Sequence, residues 1–201
     1  MSAARQAPLT RALAWVLTAG GAIGLVAAFV LTVEKIALLK DPGYRPSCSI
    51  NPILSCGSVM KTPQAEAFGF PNPLIGVAGF AVVAAIGVVL LTGARLPRWF
   101  MLGLQVGATF GVVFVHWLIF QSLYRIGALC PYCMVVWAVT IPVFWYTTLA
   151  NLTSGDLPVP RPWRRAVEGV ARFHSAVLVA WYLLIIVLIG EEFWSYWRTL
   201  L

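Results

Sequence analysis

Four cysteines, Cys48, Cys56, Cys130 and Cys133, are the residues of this sequence best suited to chemistry. Cys130-Pro131-Tyr132-Cys133 is a C-x-x-C motif placed where a helix should start. Pro131 suits a first helical turn, where its missing N–H would have no partner anyway. The spacing sets both sulfurs near one face of that turn, close enough to pair. A helix N-terminus favours the thiolate through its dipole and its free N–H groups. Cys130 falls at the cap position, nearer water, and Cys133 falls one turn deeper, facing the interior. Such a pair suits thiol exchange, with one sulfur turned to another protein group and one to a membrane-soluble acceptor. Cys48 and Cys56 form a C-x7-C pair in an apolar loop able to carry electrons between partners. Two other readings stand beside this one. The loop pair fits a static structural disulfide, and four cysteines fit a zinc site, although C-x7-C is not usual zinc spacing.

The elements that must position these sulfurs are membrane helices. Of the 201 residues 60% are hydrophobic and only 10% are charged, and mean hydropathy is +0.86. A soluble domain carries about 25% charge. Five apolar stretches are each near the roughly 20 residues that cross a bilayer. They run over about 13–33, with a polar-flanked continuation to Leu39, then 73–92, 99–124, 130–150 and 173–189. We read residues 1–201 as a single all-α, polytopic membrane domain with a loop of about 34–72 between the first two spans. The first stretch exceeds the h-region of a signal peptide and lacks a clean cleavage site, so it reads as a retained span. The net charge of +7 is spread between the spans, which fits membrane flanks and no nucleic-acid partner.

Two full spans separate the cysteine pairs, so an even number of crossings brings both to one face. Arg5, Arg11, Arg95, Arg98, Arg161, Arg164, Arg165 and Arg172 fall on the other face. Lys35, Lys40, Arg45, Lys61, Arg125 and Arg198 share the cysteine side with Glu34, Asp41, Glu66, Glu191 and Glu192. That balance favours a cytoplasmic N-terminus in a plasma or inner membrane, with the C-terminus and the cysteines outside, where disulfides persist. Trp99, Trp163, Trp194 and Trp197 suit the interfacial belts. Gly103, Gly107 and Gly111, like Gly20 and Gly24, form small-residue stripes expected to pack helices within the monomer. Pro142 should kink the fourth span. His116, ionisable and inside the third span, fits structural hydrogen bonding better than catalysis, and Glu191 and Glu192 fit a solvated helix end.

Three segments together carry a family resemblance. Cys48-x7-Cys56-Gly-Ser-Val-Met, Phe68-Gly-Phe70-Pro-Asn72-Pro-Leu-Ile-Gly76 and Cys130-Pro-Tyr-Cys133 resemble the vitamin K epoxide reductase family over about residues 10–150. The likeness is greatest to five-span bacterial, especially actinobacterial, members. It implies a four-helix bundle around a quinone, a first loop capping the site, and a fifth helix outside the bundle. It also implies quinone reduction coupled to oxidation of an extracytoplasmic thioredoxin-fold partner, in support of disulfide formation. Menaquinone or ubiquinone would be the electron acceptor, and no metal is needed. Many bacterial members carry the partner fused after the fifth span; this chain stops at Leu201, so a separate partner is expected. Within the resemblance, Cys48 meets the partner, Cys56 hands on to Cys130, and Cys133 faces the quinone.

The same likeness makes Asn72 a hydrogen-bond donor to a quinone carbonyl, although an Asn between prolines also starts a helix well. Trp137 stands where animal members have a tyrosine, and it keeps an N–H donor or simply packs. Met60, Thr62, Phe68 and Phe70 would line the pocket and its cap. Two rival functions remain: reduction of vitamin K epoxide itself, and a transporter subunit with purely structural disulfides.

Overall fold

The computed structural model describes residues 3–198, and within them it says nothing of the side chains of residues 3–8 or of Trp197. The expectations placed on Arg5 and Trp197 therefore lie outside the described residues. Eight α-helices follow in order: α1 (Ala3–Lys40), α2 (Cys56–Met60), α3 (Pro73–Leu91), α4 (Arg98–Gln121), α5 (Pro131–Ser154), α6 (Arg164–Arg172), α7 (His174–Glu192) and α8 (Trp194–Trp197). A π-turn, Ser122–Ile126, prolongs α4. Among the described residues there is no strand. Five helices, α1, α3, α4, α5 and α7, are long and apolar enough to cross a membrane, so this is an all-α polytopic protein. Trp99, Trp163 and Trp194 are all exposed, as interfacial positions require.

α1 packs along both α3 and α5, and α4 packs along α5, whereas α3 and α4 hardly touch. Close approach explains the first of these contacts. A Cβ on Gly21 would lie 2.5 Å from the Ala84 backbone N, and one on Gly24 would strike the Phe80 ring at 2.5 Å. Glycine is what lets α1 and α3 meet backbone to backbone. The second stripe behaves otherwise. A Cβ on Gly103 or Gly107 would meet nothing within 4 Å, and only Gly111 approaches a neighbour, Thr140 Cγ2 at 3.5 Å. The expected packing role fails for Gly103 and Gly107 because no helix lies opposite them; they face a cavity.

α7 lies outside the bundle and buries none of its residues. At its start Trp145 Nε1 donates to His174 O at 3.1 Å and the Tyr146 hydroxyl lies 3.0 Å from His174 Nδ1, and two further polar contacts hold it along its length. Trp181 Nε1 donates to His116 Nε2 at 2.9 Å, and His116 Nδ1 lies 2.8 Å from the Val112 carbonyl. The indole N–H can only donate, so Nε2 is the acceptor in this contact and Nδ1 is left to face the carbonyl. The second contact follows from Pro142, which has no N–H for the carbonyl four residues earlier. That carbonyl belongs to Ala138, and the Tyr182 hydroxyl of α7 donates to it at 2.5 Å. An orphaned carbonyl in lipid costs several kcal/mol, so the proline in α5 creates the site that α7 fills.

Candidate active site

The cap, residues 41–72, is tied down by two adjacent residues near the end of α1. Glu34 Oε1 accepts from the Ser47 hydroxyl at 2.6 Å, just before Cys48, and Glu34 also raises the pKa of Tyr44 by accepting its hydrogen bond. Lys35 Nζ donates to the Met60 carbonyl at 2.7 Å and pairs with Glu66 at 2.9 Å. Glu34 and Lys35 are both buried, although their place at the end of an apolar run made them look like ordinary flanking charges. Between the loop cysteines the chain turns on Asn51, whose Oδ1 accepts from the Ile53 and Leu54 N–H groups at 3.0 and 2.7 Å. The loop is therefore locally closed.

One isolated pair of residues decides where the sulfurs meet. Leu54 and Leu129 form a parallel bridge, with Leu129 N–H to Ile53 O at 2.7 Å and Ser55 N–H to Leu129 O at 2.9 Å. Gly127 makes this possible by taking a left-handed conformation (φ 67°) that ends the π-turn. The bridge falls just before Cys56 on one strand of chain and just before Cys130 on the other. Ser55 then caps α2, accepting from Ser58 N–H at 3.2 Å, so Cys56 opens that helix. Cys56 Sγ lies 3.1 Å from Cys130 Sγ, and both residues are fully buried.

Cys48 and Cys56 are joined in a disulfide, and Cys130 and Cys133 are free thiols. Cys130 caps α5, its sulfur accepting from the Cys133 N–H at 3.4 Å. The expectation that Cys130 lies nearer water is not met, because the paired loop segments close over it. Its pKa is lowered by the Cys133 thiol, with help from the Cys133 and Tyr132 N–H groups, against burial, which pushes the other way. The sulfurs of Cys48, Cys56 and Cys130 all lie within 4.8 Å of one another. Two of them are bonded to each other and offer no thiolate to a metal. The arrangement is that of a thiol beside a disulfide, the geometry of exchange.

Cys133 instead lines a cavity of about 690 Å³ that runs between α1, α3, α4 and α5 under the cap. Its wall is almost wholly apolar. Gly79, Gly103 and Gly107, where an added Cβ would meet nothing within 4 Å, line it where α3 and α4 part, leaving room along the helices for a chain-like ligand. Its size falls within the range of small-ligand sites.

A sequence profile of the Vitamin K epoxide reductase family matches residues 15–148, about two thirds of the chain. The chain belongs to this family. No curated protein matches it. Family membership makes the protein an oxidoreductase that works with thiols and quinones in a membrane.

The remaining residues expected to bind quinone divide into two groups. Met60, Thr62, Asn72 and Trp137 line the cavity, whereas Phe68 and Phe70 do not. Phe68 packs tilted against Phe110 and Phe114, two rings of the cavity wall, at ring distances of 6.2 and 5.4 Å, and Phe70 packs on Phe68. Asn72 occupies the cap position of α3 without capping it by its side chain. Its Nδ2 donates to Gln64 O at 2.7 Å and its Oδ1 accepts from Ala67 N–H at 3.0 Å, so it braces the cap. Trp137 is 4% exposed, and its indole N–H has no partner. A buried donor left unpaired in a cavity wall costs about 1–3 kcal/mol, and a quinone carbonyl is the acceptor that would remove that cost. The cavity and this donor fit a quinone with an isoprenoid tail.

The open glycine wall leads to a prediction. Gly103→Leu should leave the fold intact, since helix propensity rises, yet fill the space beside α3. Displacing one isoprene unit, worth about 3 kcal/mol at 0.8 kcal/mol per CH₂, should raise KM on the order of a hundredfold. A tail-less quinone should be used normally. Equal KM for long- and short-tailed quinones in the variant would contradict a tail site there.

Proposed function

We propose that this protein is a thiol:quinone oxidoreductase that oxidises an extracytoplasmic thioredoxin-fold protein and reduces a membrane quinone. One observation carries the reading: Cys56 joins the outer disulfide and touches Cys130 at 3.1 Å, while Cys133, one turn on, lines the cavity. The partner's thiolate attacks Cys48, and the Cys48–Cys56 bond breaks. Freed Cys56 attacks Cys130, releasing Cys133 as thiolate. The partner's second thiol then resolves its bond to Cys48, and Cys48 displaces Cys130 from Cys56. The outer disulfide and the inner dithiol of the present structure result. Two electrons pass from Cys130 and Cys133 to the quinone, and their disulfide re-forms. Overall, dithiol plus quinone gives disulfide plus hydroquinone.

In this reading residues 1–201 act as one domain. The Arg-rich segment around α6 marks the cytoplasmic side, and the cap faces outward, where the partner is a separate protein. Quinone supplies the electron-accepting chemistry; the chain's residues position it and feed it electrons. Trp137 donates to a carbonyl, and Met60, Thr62 and Asn72 close the pocket above. Trp137→Phe removes the N–H but keeps a buried ring, so KM for quinone should rise about tenfold, equal to ~1.4 kcal/mol. Unchanged KM would leave Trp137 as packing alone.

The reading is tested with purified protein, a reduced thioredoxin-fold protein and menaquinone or ubiquinone. Quinone absorbance should fall in step with loss of partner thiols, one hydroquinone per disulfide. Partner oxidation without loss of quinone, or no reaction with any quinone, would defeat it.

A further inference from the structure

Thiolate-driven reduction leaves a proton to be found. Cys130 and Cys133 both leave the exchange as thiolates; once Cys133 has regained a proton, Cys130 thiolate, Cys133 thiol, quinone and one further proton give the Cys130–Cys133 disulfide and hydroquinone. The partner's thiols shed their protons above the cap, not in the cavity. Among the described residues lining that cavity, the only ionisable side chains are Cys133 and Lys35. Lys35 is 6% exposed. Of its three hydrogens, one goes to Met60 O and one to Glu66 Oε1, and no partner is seen for the third. Glu66 is different: 39% of its side chain is exposed. The pair therefore runs from water at the cap surface to the cavity wall. A buried ammonium is costly to keep in a membrane bundle, and a tie to the cap alone needs no charge.

We propose that Lys35 is the proton donor to the reduced quinone and that Glu66 recharges it from water. This rests on the quinone reading above. As the electron pair leaves the two cysteines, the Lys35 N–H bond breaks and its proton passes to a quinone oxygen. The Cys133 thiol, at the cavity wall, supplies the second proton. Glu66, a carboxylate in the ion pair, then takes a proton from solvent and passes it to the Lys35 amine, so each quinone reduced draws one proton through this pair.

The test uses full-length protein with its inner cysteines reduced, mixed rapidly with quinone in weak buffer containing a pH indicator. Lys35→Arg keeps the charge and its ties to the cap but gives up no proton at neutral pH. Its quinone affinity, read by tryptophan quenching, should stay within about twofold of wild type, and the rate of hydroquinone formation should fall about a hundredfold. Glu66→Gln keeps a hydrogen bond to Lys35 but cannot relay. It should complete one fast reduction while proton uptake from the medium lags roughly tenfold behind. Lys35→Arg reducing quinone at the wild-type rate would overturn the proposal. So would uptake in Glu66→Gln that keeps pace with reduction, and this arm decides the matter if the arginine variant fails to fold. A wild-type protein that reduces no quinone would remove the underlying function as well.

Discussion

Replacing Cys133 with alanine should lower quinone reduction by more than about a thousandfold, which is over ~4 kcal/mol of barrier. Among the described residues Cys133 is the only thiol lining the cavity, and Cys130, though close in the motif, is sealed beneath the cap. No other thiolate reaches the acceptor, so the loss should resist higher quinone concentration. The outer disulfide keeps its Glu34 and Asn51 supports in this variant. One equivalent of partner should therefore still be oxidised by Cys48–Cys56 before the reaction stops. Quinone consumption and partner thiols, followed in the same cuvette, check both halves. Residual quinone turnover above a tenth of wild type would remove Cys133 from the electron path.

Replacing Cys48 with alanine should give the second large effect, a trapped bond between Cys56 and Cys130. Without its disulfide partner, Cys56 is a free thiol 3.1 Å from Cys130. When Cys130–Cys133 is oxidised, Cys56 attacks Cys130 and the leaving sulfur is Cys133, now a thiolate facing the cavity. No outer cysteine remains to resolve the product, and removing a resolving thiol stalls exchange at the preceding disulfide. Turnover with a protein partner should fall to background. Non-reducing peptide mapping should recover the Cys56–Cys130 pair as the main cross-link. Full turnover in this variant would reduce the first-loop pair to a structural staple.

Much of this site was legible in the sequence because its signals are local. Pro131 opening a helix, with cysteines at the cap and one turn in, places the C-x-x-C motif from spacing alone, and hydropathy places the spans around it. What stayed hidden depends on what lies opposite. Gly21, Gly24, Gly103 and Gly107 look alike in sequence, but the first two meet α3 and the last two meet a void. Lys35 and Glu34 follow an apolar run, as flanking charges do, and only the folding back of the cap buries them. The Leu54–Leu129 bridge joins residues 75 positions apart by a single residue pair, too short a pairing to leave an alternating pattern. Tyr182 answers Pro142 across helices, and the proline signals the gap without naming what fills it.

A single-turnover experiment tests the relay most directly. Oxidised protein containing bound quinone is mixed with reduced thioredoxin-fold partner, quenched by alkylation at successive times, and mapped by mass spectrometry while hydroquinone is measured. The account predicts a partner–Cys48 cross-link first, then Cys56–Cys130, then hydroquinone, one for each partner disulfide formed. Hydroquinone appearing while Cys48–Cys56 stays intact and no Cys56–Cys130 bond forms would contradict it.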